Sequence, residues 1–345
     1  MATTRQRLEA ALDGKTPDKT PLSIYSWMLG DLAALPDDGR RLVDRGLGLA
    51  VHVGVVEAVA HGVETTFEER KEGGHTYRIT RKKTPVGELR YIRKNGWHHE
   101  DWIKEPRDYK TWQWMVEHTE LKARYDGFHR ADEAVGQNGI TIVSMGRTPA
   151  MDINIDIAGT ERFCMDVAME VPELFDLYEA IRKLHRRRIE IVAAGPGRFV
   201  QWGENLTIAM LGPKRYDELL APVYDESMPV LAAAGKRAMV HYDGKVGCIR
   251  DRIAAAPYHI LESLTEPPEG DMTYDQCRAA WSDKAFWGNI NVPLYYGPAD
   301  KLRQAVIDKR SRAGKRGLAF EVSEDIPRNW RQSIPVVLDA LQELD

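Results

Sequence analysis

The chain has 345 residues, of which 43% are hydrophobic and 29% charged. That composition builds a sizeable core and excludes a disordered chain. Lys+Arg 48 against Asp+Glu 52 leaves a net charge of -4, which excludes nucleic-acid binding through bulk positive charge.

Three separated cysteines, with no Cys-x-x-Cys, exclude a disulfide framework and an all-cysteine zinc site. The N-terminus carries no apolar signal segment. The most apolar stretch, 47–63, is interrupted by His52, Glu57 and His61. The expectation is a cytoplasmic protein with no membrane span and no nucleic-acid partner.

Taken in chain order, apolar β-rich runs alternate with amphipathic helical stretches. Strands are predicted at 21–25, 49–54, 140–145, 199–202, 238–241, 260–264, 285–289 and 318–322. Several are continuously apolar, as parallel strands buried on both faces are. Helices are predicted at 161–171, 171–194, 214–234, 299–311 and 327–344, with Pro172 in a first turn and Gly235 at a C-cap. Runs at 64–70, 75–82 and 88–93 break the alternation. They are separated by the turn signals Glu72-Gly73-Gly74 and Pro85-Val86-Gly87. The reading is an α/β fold: a (β/α)8 TIM barrel, one domain over 1–345. An antiparallel hairpin or meander at about 64–93 is inserted after the second strand, and helix returns over 108–135.

A barrel places chemistry at the C-terminal ends of its strands. Those ends carry Trp202-Gly203-Glu204-Asn205, His241-Tyr242-Asp243-Gly244, Glu262 and Glu266, Asn289-Ile290-Asn291, and Glu321 and Glu324. His241 and Asp243, at i and i+2, suit a metal site or a His–carboxylate pair for proton transfer. Asp243 before Gly244 suits a turn as well. Glu204 joins the catalytic candidates, while Asn205 equally fits a helix N-cap. Tyr25, Trp27, Arg147, Trp202, Asn205 and Asn289 are the candidate substrate-binding residues. Asp271 reads as an N-cap for 274–281, and Arg81-Lys82-Lys83 as a solvated face. No phosphate loop, Gly-x-Ser-x-Gly elbow or His-Glu-x-x-His helix is present.

The opening RQRLEAAL at 5–12 with GKTPDKTP at 14–21, TPVGEL at 84–89, GNIN at 288–291, and strand-end His241 followed by Gly244 together resemble the uroporphyrinogen decarboxylase superfamily. The resemblance runs over nearly the whole chain. It implies a distorted (β/α)8 barrel and two chemistries, porphyrinogen decarboxylation or corrinoid-linked methyl transfer at a metal. The decarboxylases carry an arginine-rich segment after the first strand. The stretch 26–32 here has no arginine, so a polycarboxylate porphyrinogen lacks its partners. In the thiol-methylating branch a His-x-Cys pair and a later Cys hold zinc. Here His241 matches, and Asp243 and Glu324 stand where the cysteines would be. The resemblance thus implies a divalent metal, zinc foremost, on His241, Asp243 and Glu324, with Glu262 or Glu266 as a fourth ligand. It further implies demethylation of a methoxy or similar small substrate, with a corrinoid on a separate protein as methyl acceptor, and it is compatible with a homodimer. A metal-independent lyase using His241–Asp243, and a non-catalytic ligand-binding barrel, are the alternatives.

Overall fold

The computed structural model describes residues 2–31, 34–206, 208–323 and 325–344, leaving aside the side chain of Ala209. Its strands are β1 (Leu22–Tyr25), β2 (Gly48–Val53), β3 (Val56–Ala60), β4 (Glu64–Glu72), β5 (His75–Thr84), β6 (Gly87–Lys94), β7 (Trp97–Glu100), β8 (Thr119–Ala123), β9 (Gly139–Gly146), β10 (Phe199–Trp202), β11 (Arg237–His241), β12 (Ile260–Leu264), β13 (Ala285–Asn289) and β14 (Leu318–Glu321). Eight of them close into a barrel in the order β1-β14-β13-β12-β11-β10-β9-β2. Every pairing around it is parallel, as the alternation of apolar runs and helices predicts.

Side chains alternate in and out along each strand. The inward set fills the barrel with Ala50, Ile140, Ile142, Phe199, Met239, Ile260, Trp287 and Ala319, and it packs against Leu8, Ala11 and Leu12 of the N-terminal helix Thr4–Leu12. That helix opens with a Thr3/Gln6 capping box and closes one end of the barrel. The outward set packs on the surrounding helices. Helix Pro172–Ala194 shows why: Leu174, Leu177, Tyr178, Ile181, His185, Ile189 and Val192 form one buried stripe at helical spacing.

The insertion is a four-stranded antiparallel sheet, β4-β5-β6-β7. Its first turn uses Gly73 and Gly74, both at positive φ. Lys82, read from sequence as solvated, lies over the rings of Trp102 and Trp112. The predicted helix 108–135 is instead helix Pro106–Glu117, strand β8 and helix Asp126–Val135, and β8 pairs antiparallel with β3. The short TELKA run has no apolar alternation of its own. Its pairing with β3 is a tertiary effect that local periodicity does not carry. The predicted helix 214–234 is likewise divided, with a π-helical turn at Tyr216–Leu220 before helix Ala221–Ala233. No helix among the described residues is long and apolar enough to cross a membrane.

Candidate active site at the barrel mouth

The inward alternation that supplies the apolar core changes character one step higher. Two residues beyond Ala50, Phe199, Met239, Ile260, Trp287 and Ala319 come His52, Gln201, His241, Glu262, Asn289 and Glu321. The same inward face therefore turns from apolar to polar at the C-terminal ends of the strands.

Glu262 is the centre of this layer. It is fully buried. Its Oε2 contacts His241 Nδ1 at 2.7 Å and accepts a hydrogen bond from Gln201 Nε2 at 2.7 Å. Tyr25 donates its hydroxyl to Oε1. Burial alone pushes a carboxyl group's pKa up, but His241, Tyr25 and the nearby His52 hold Glu262 below its ordinary value. Glu262 is thus a buried carboxylate held in its charged form by donors. His52 stands edge-on to Tyr25, with ring centroids 5.1 Å apart. Its Nε2 is buried and has no hydrogen-bond partner. Burial pushes the His52 imidazole below its ordinary pKa and favours the neutral ring.

The backbone around Glu262 is irregular. Ser263 has φ 59°, and the β12/β13 register shifts between Glu262 and Leu264. Such a bulge re-aims the side chains beside it. It lets Ser263 Oγ accept from Asn289 Nδ2 at 2.9 Å. Gly288 is required next door, because a Cβ there would lie 2.2 Å from the Tyr274 hydroxyl. That hydroxyl donates to the carbonyls of Leu264 and Asn289 at 2.9 and 3.0 Å, tying the ends of β12 and β13 together.

Beside this layer is a cavity of about 190 Å³ lined by Asp243, Thr265, Glu269, Asn289, Ile290, Asn291, Val292, Ser323 and Asp325. Asp243 therefore stands at the cavity wall. Strand β11 ends at His241, so Asp243 lies past the strand and the i, i+2 argument for a shared face does not apply to it. Glu262, from the neighbouring strand, is in contact with His241.

The other predicted residues divide. Tyr25, Asn289, His241 and Glu262 come together in the mouth. Trp27 is 62% exposed and stacks on Tyr25 at 6.0 Å between ring centroids. Arg147 pairs with Asp156 at 2.7 Å and reaches Asn205 Oδ1 at 3.5 Å. Trp202 does not wall the pocket: it is fully buried and its Nε1 donates to His185 Nε2 at 3.3 Å. It follows inward-facing Gln201 in the strand and so points out toward the helices. Glu204 is also fully buried. It accepts from Thr148 N, Thr148 Oγ1 and the Tyr224 hydroxyl at 3.2, 3.0 and 2.9 Å. Burial pushes its pKa up to about 7 against those hydrogen bonds. Asp152 is likewise pushed up to about 7, by burial and then by Asp156.

Asp271 is not the N-cap read from sequence. Thr273 caps helix Tyr274–Ala280 through a box with Gln276, and Asp271 accepts from the backbone of Val246 and Gly247 at 2.9 and 3.0 Å. Glu266 is a structural hub. It is bound by Lys309 and Arg312 at 2.7 Å each and by the backbone N–H of Tyr274 at 2.8 Å.

These contacts bear on the implied metal. Among the described residues, no group of three or more His, Cys, Asp or Glu side chains is arranged to hold an ion. Glu262 already serves three donors, and Glu266 is compensated by two cations. Glu324 lies outside the described residues. Of the expected set, His241 is in contact with Glu262 and Asp243 stands at the cavity wall.

Two residues of the layer, His52 and Gln201, escape a reading that looks for polar residues just after the strands. The signal that finds them is the inward alternation itself, Ala50–His52 and Phe199–Gln201.

No family model matches the chain, and no curated protein matches it. Similar solved structures include a glycoside hydrolase family 5 enzyme from Prevotella bryantii, 13% identical, covering 97% of each chain with a TM-score of 0.45. The pneumococcal virulence factor StrH is 9% identical, covering 97% of this chain and 84% of its own, with a TM-score of 0.43. A sugar phosphate isomerase/epimerase from Parabacteroides distasonis is 9% identical, covering 94% and 96%, with a TM-score of 0.35. The barrel assignment itself rests on the strand pairing.

Proposed function

We propose that the chain is an enzyme acting on a small, oxygen-bearing substrate at the barrel mouth, with His241 as proton donor and Glu262 as the carboxylate that orients it. The observation that carries this is the His241 Nδ1–Glu262 Oε2 contact of 2.7 Å between two buried side chains on adjacent strands. A carboxylate on one imidazole nitrogen fixes the ring and offsets the positive charge it gains on protonation. Gln201 and Tyr25 hold the carboxylate in turn.

The reaction class rests on the resemblance to the uroporphyrinogen decarboxylase superfamily. Methyl transfer from a methoxy-type oxygen suits this machinery. As the carbon–oxygen bond breaks, the electron pair stays on oxygen, and a proton from the His241 imidazolium converts the alkoxide to an alcohol. The methyl acceptor is a nucleophile outside this chain, and a corrinoid on a separate protein supplies one. At about 190 Å³ the cavity suits a small substrate, so such a partner meets it from the rim.

The test is anaerobic incubation with cob(I)alamin and a panel of small methoxy compounds, following methylcobalamin by absorbance and the alcohol by mass spectrometry. Both products are expected. Carbon dioxide released from a small acid without an acceptor would replace this reading with the lyase. Saturable binding with no product would leave a non-catalytic barrel. Stoichiometric metal that disappears in His241→Ala would return the metal ligand set.

A further inference from the structure

The polar layer at the mouth holds two buried atoms that lack a hydrogen-bond partner among the described residues. Asn289 supplies the first. It is 6% exposed and lines the mouth cavity. It stands two residues beyond Trp287, whose side chain packs inside the barrel, so its side chain faces the same axis. Its Nδ2 donates to Ser263 Oγ at 2.9 Å, while its Oδ1 is buried and unpartnered.

His52 supplies the second, independently and from another strand. It stands two residues beyond Ala50, which also packs inside the barrel. Its Nε2 is buried and unpartnered, although the residue as a whole is half-buried. A buried polar atom without a partner has given up its hydration for nothing, and native proteins rarely leave one so. Two of them on the inward face, at the end where a barrel carries its chemistry, point to a ligand that supplies the missing hydrogen bonds.

The neighbouring charges select the kind of ligand. Burial lowers the His52 pKa and favours the neutral ring, and Glu262 and Gln201 only partly oppose it. Glu262 is held ionised, which disfavours an anion beside it. It already serves His241, Gln201 and Tyr25, so a cation at that depth would compete with those donors. An uncharged hydroxyl meets both needs. It donates to the Asn289 amide oxygen, which only accepts. At His52 Nε2 it donates or accepts, whichever tautomer the neutral ring holds.

We propose that the mouth selects an uncharged substrate carrying two hydroxyl groups beside its methoxy oxygen, one hydrogen-bonded to Asn289 Oδ1 and the other to His52 Nε2. This deepens the reading given above and rests on it for the reaction, though not for the binding.

The experiment measures dissociation constants for the full chain at pH 7 by ligand-observed NMR titration. The probes are 3-methoxypropane-1,2-diol and 1-methoxybutane, which has the same chain length and no hydroxyl. The diol is expected to bind at least about ten-fold more tightly, because a site built around hydrogen bonds rejects an analogue that cannot make them. Asn289→Leu and His52→Phe each remove one bond and keep the bulk. Each is expected to weaken the diol about five-fold or more and to change 1-methoxybutane by less than about two-fold. The two variants lie on separate strands, so one keeps the test open if the other fails to fold. A third reading needs no variant: the His52 Nε2 nitrogen resonance is expected to shift on adding the diol and to stay in place with 1-methoxybutane. Equal affinity for the two probes, no saturation by the diol, an unmoved resonance, or a full preference surviving in either variant would overturn the proposal. So would zinc chloride displacing the diol below the diol's own dissociation constant, since a neutral imidazole nitrogen is also a metal ligand. Turnover is not read in this titration. A lost hydroxyl preference overturns the substrate class alone, and an intact preference without methyl transfer overturns the reaction alone.

Discussion

Glu262 and Glu204 are both fully buried carboxyl groups near the mouth, and their surroundings push them in opposite directions. Glu262 faces His241, Tyr25 and Gln201 and is held ionised. Glu204 has only neutral donors, and burial lifts its pKa to about 7. Opposed environments of this kind separate acid from base roles. Glu262→Gln keeps the shape and removes the charge that supports the His241 imidazolium. It is expected to lower kcat about 10²–10⁴-fold with the fold intact by circular dichroism, and a loss of less than three-fold would remove Glu262 from the mechanism. For Glu204 the expectation concerns stability. Its folded pKa lies above the ordinary 4.5, so the folded state keeps a proton that the unfolded chain releases. Stability contributed by this group is present below pH 4.5 and declines as pH rises toward about 7. Over that window the wild type should lose about 3 kcal/mol relative to Glu204→Gln, read from urea unfolding at several pH values. Parallel pH profiles for the two proteins would show that Glu204 titrates normally.

At the scale of elements, the mouth is shaped by irregularities. Strand β12 bulges at Ser263, β10 shifts register between Gln201 and Trp202, and Tyr274 bridges β12 to β13 through the space left by Gly288. Gly288→Ala would force its Cβ against the Tyr274 hydroxyl, at 2.2 Å in the present geometry. Overpacking of this kind is expected to cost about 1–3 kcal/mol in chemical unfolding. Combining it with Tyr274→Phe should recover part of that loss, since the clashing oxygen is gone. Full additivity of the two would show that the clash is not with the hydroxyl. The barrel strands were legible in the sequence because each is a short apolar run between helical patterns. Strands β10, β12 and β13 fall at the predicted bounds. β3 and β8 were not legible, since a two-stranded pairing 60 residues apart leaves no local periodicity. His241, Glu262, Tyr25 and Asn289 were legible as strand-end polar residues. Their pairing was not, because His241 meets Glu262 on the neighbouring strand, 21 residues along the chain. Trp202 packs outward against His185 because facing depends on where a strand ends, and one residue reverses it.

For the whole molecule, one end of the barrel is chemistry and the other is closure. The N-terminal helix seals the end opposite the mouth. Leu8, Ala11 and Leu12 are fully buried and join Phe199, Met239, Ala285 and Trp287 in one cluster. Gly48 makes room for this docking, because a Cβ there would come within 2.9 Å of Leu8 Cδ1. The helix is nine residues long, too short to be stable alone, so its order comes from the barrel it covers. Leu8→Ala removes a fully buried side chain from that contact and leaves a cavity under the helix. It is expected to cost about 2–5 kcal/mol in unfolding free energy. Ligand binding at the mouth should be unaltered, because the polar layer of Glu262 and His241 lies on the far side of Met239 and Trp287. A stability loss below about 1 kcal/mol would mean that the helix lies on the barrel without sealing it. A parallel loss of mouth binding would mean that the apolar layer transmits the disturbance and that the two ends do not behave independently.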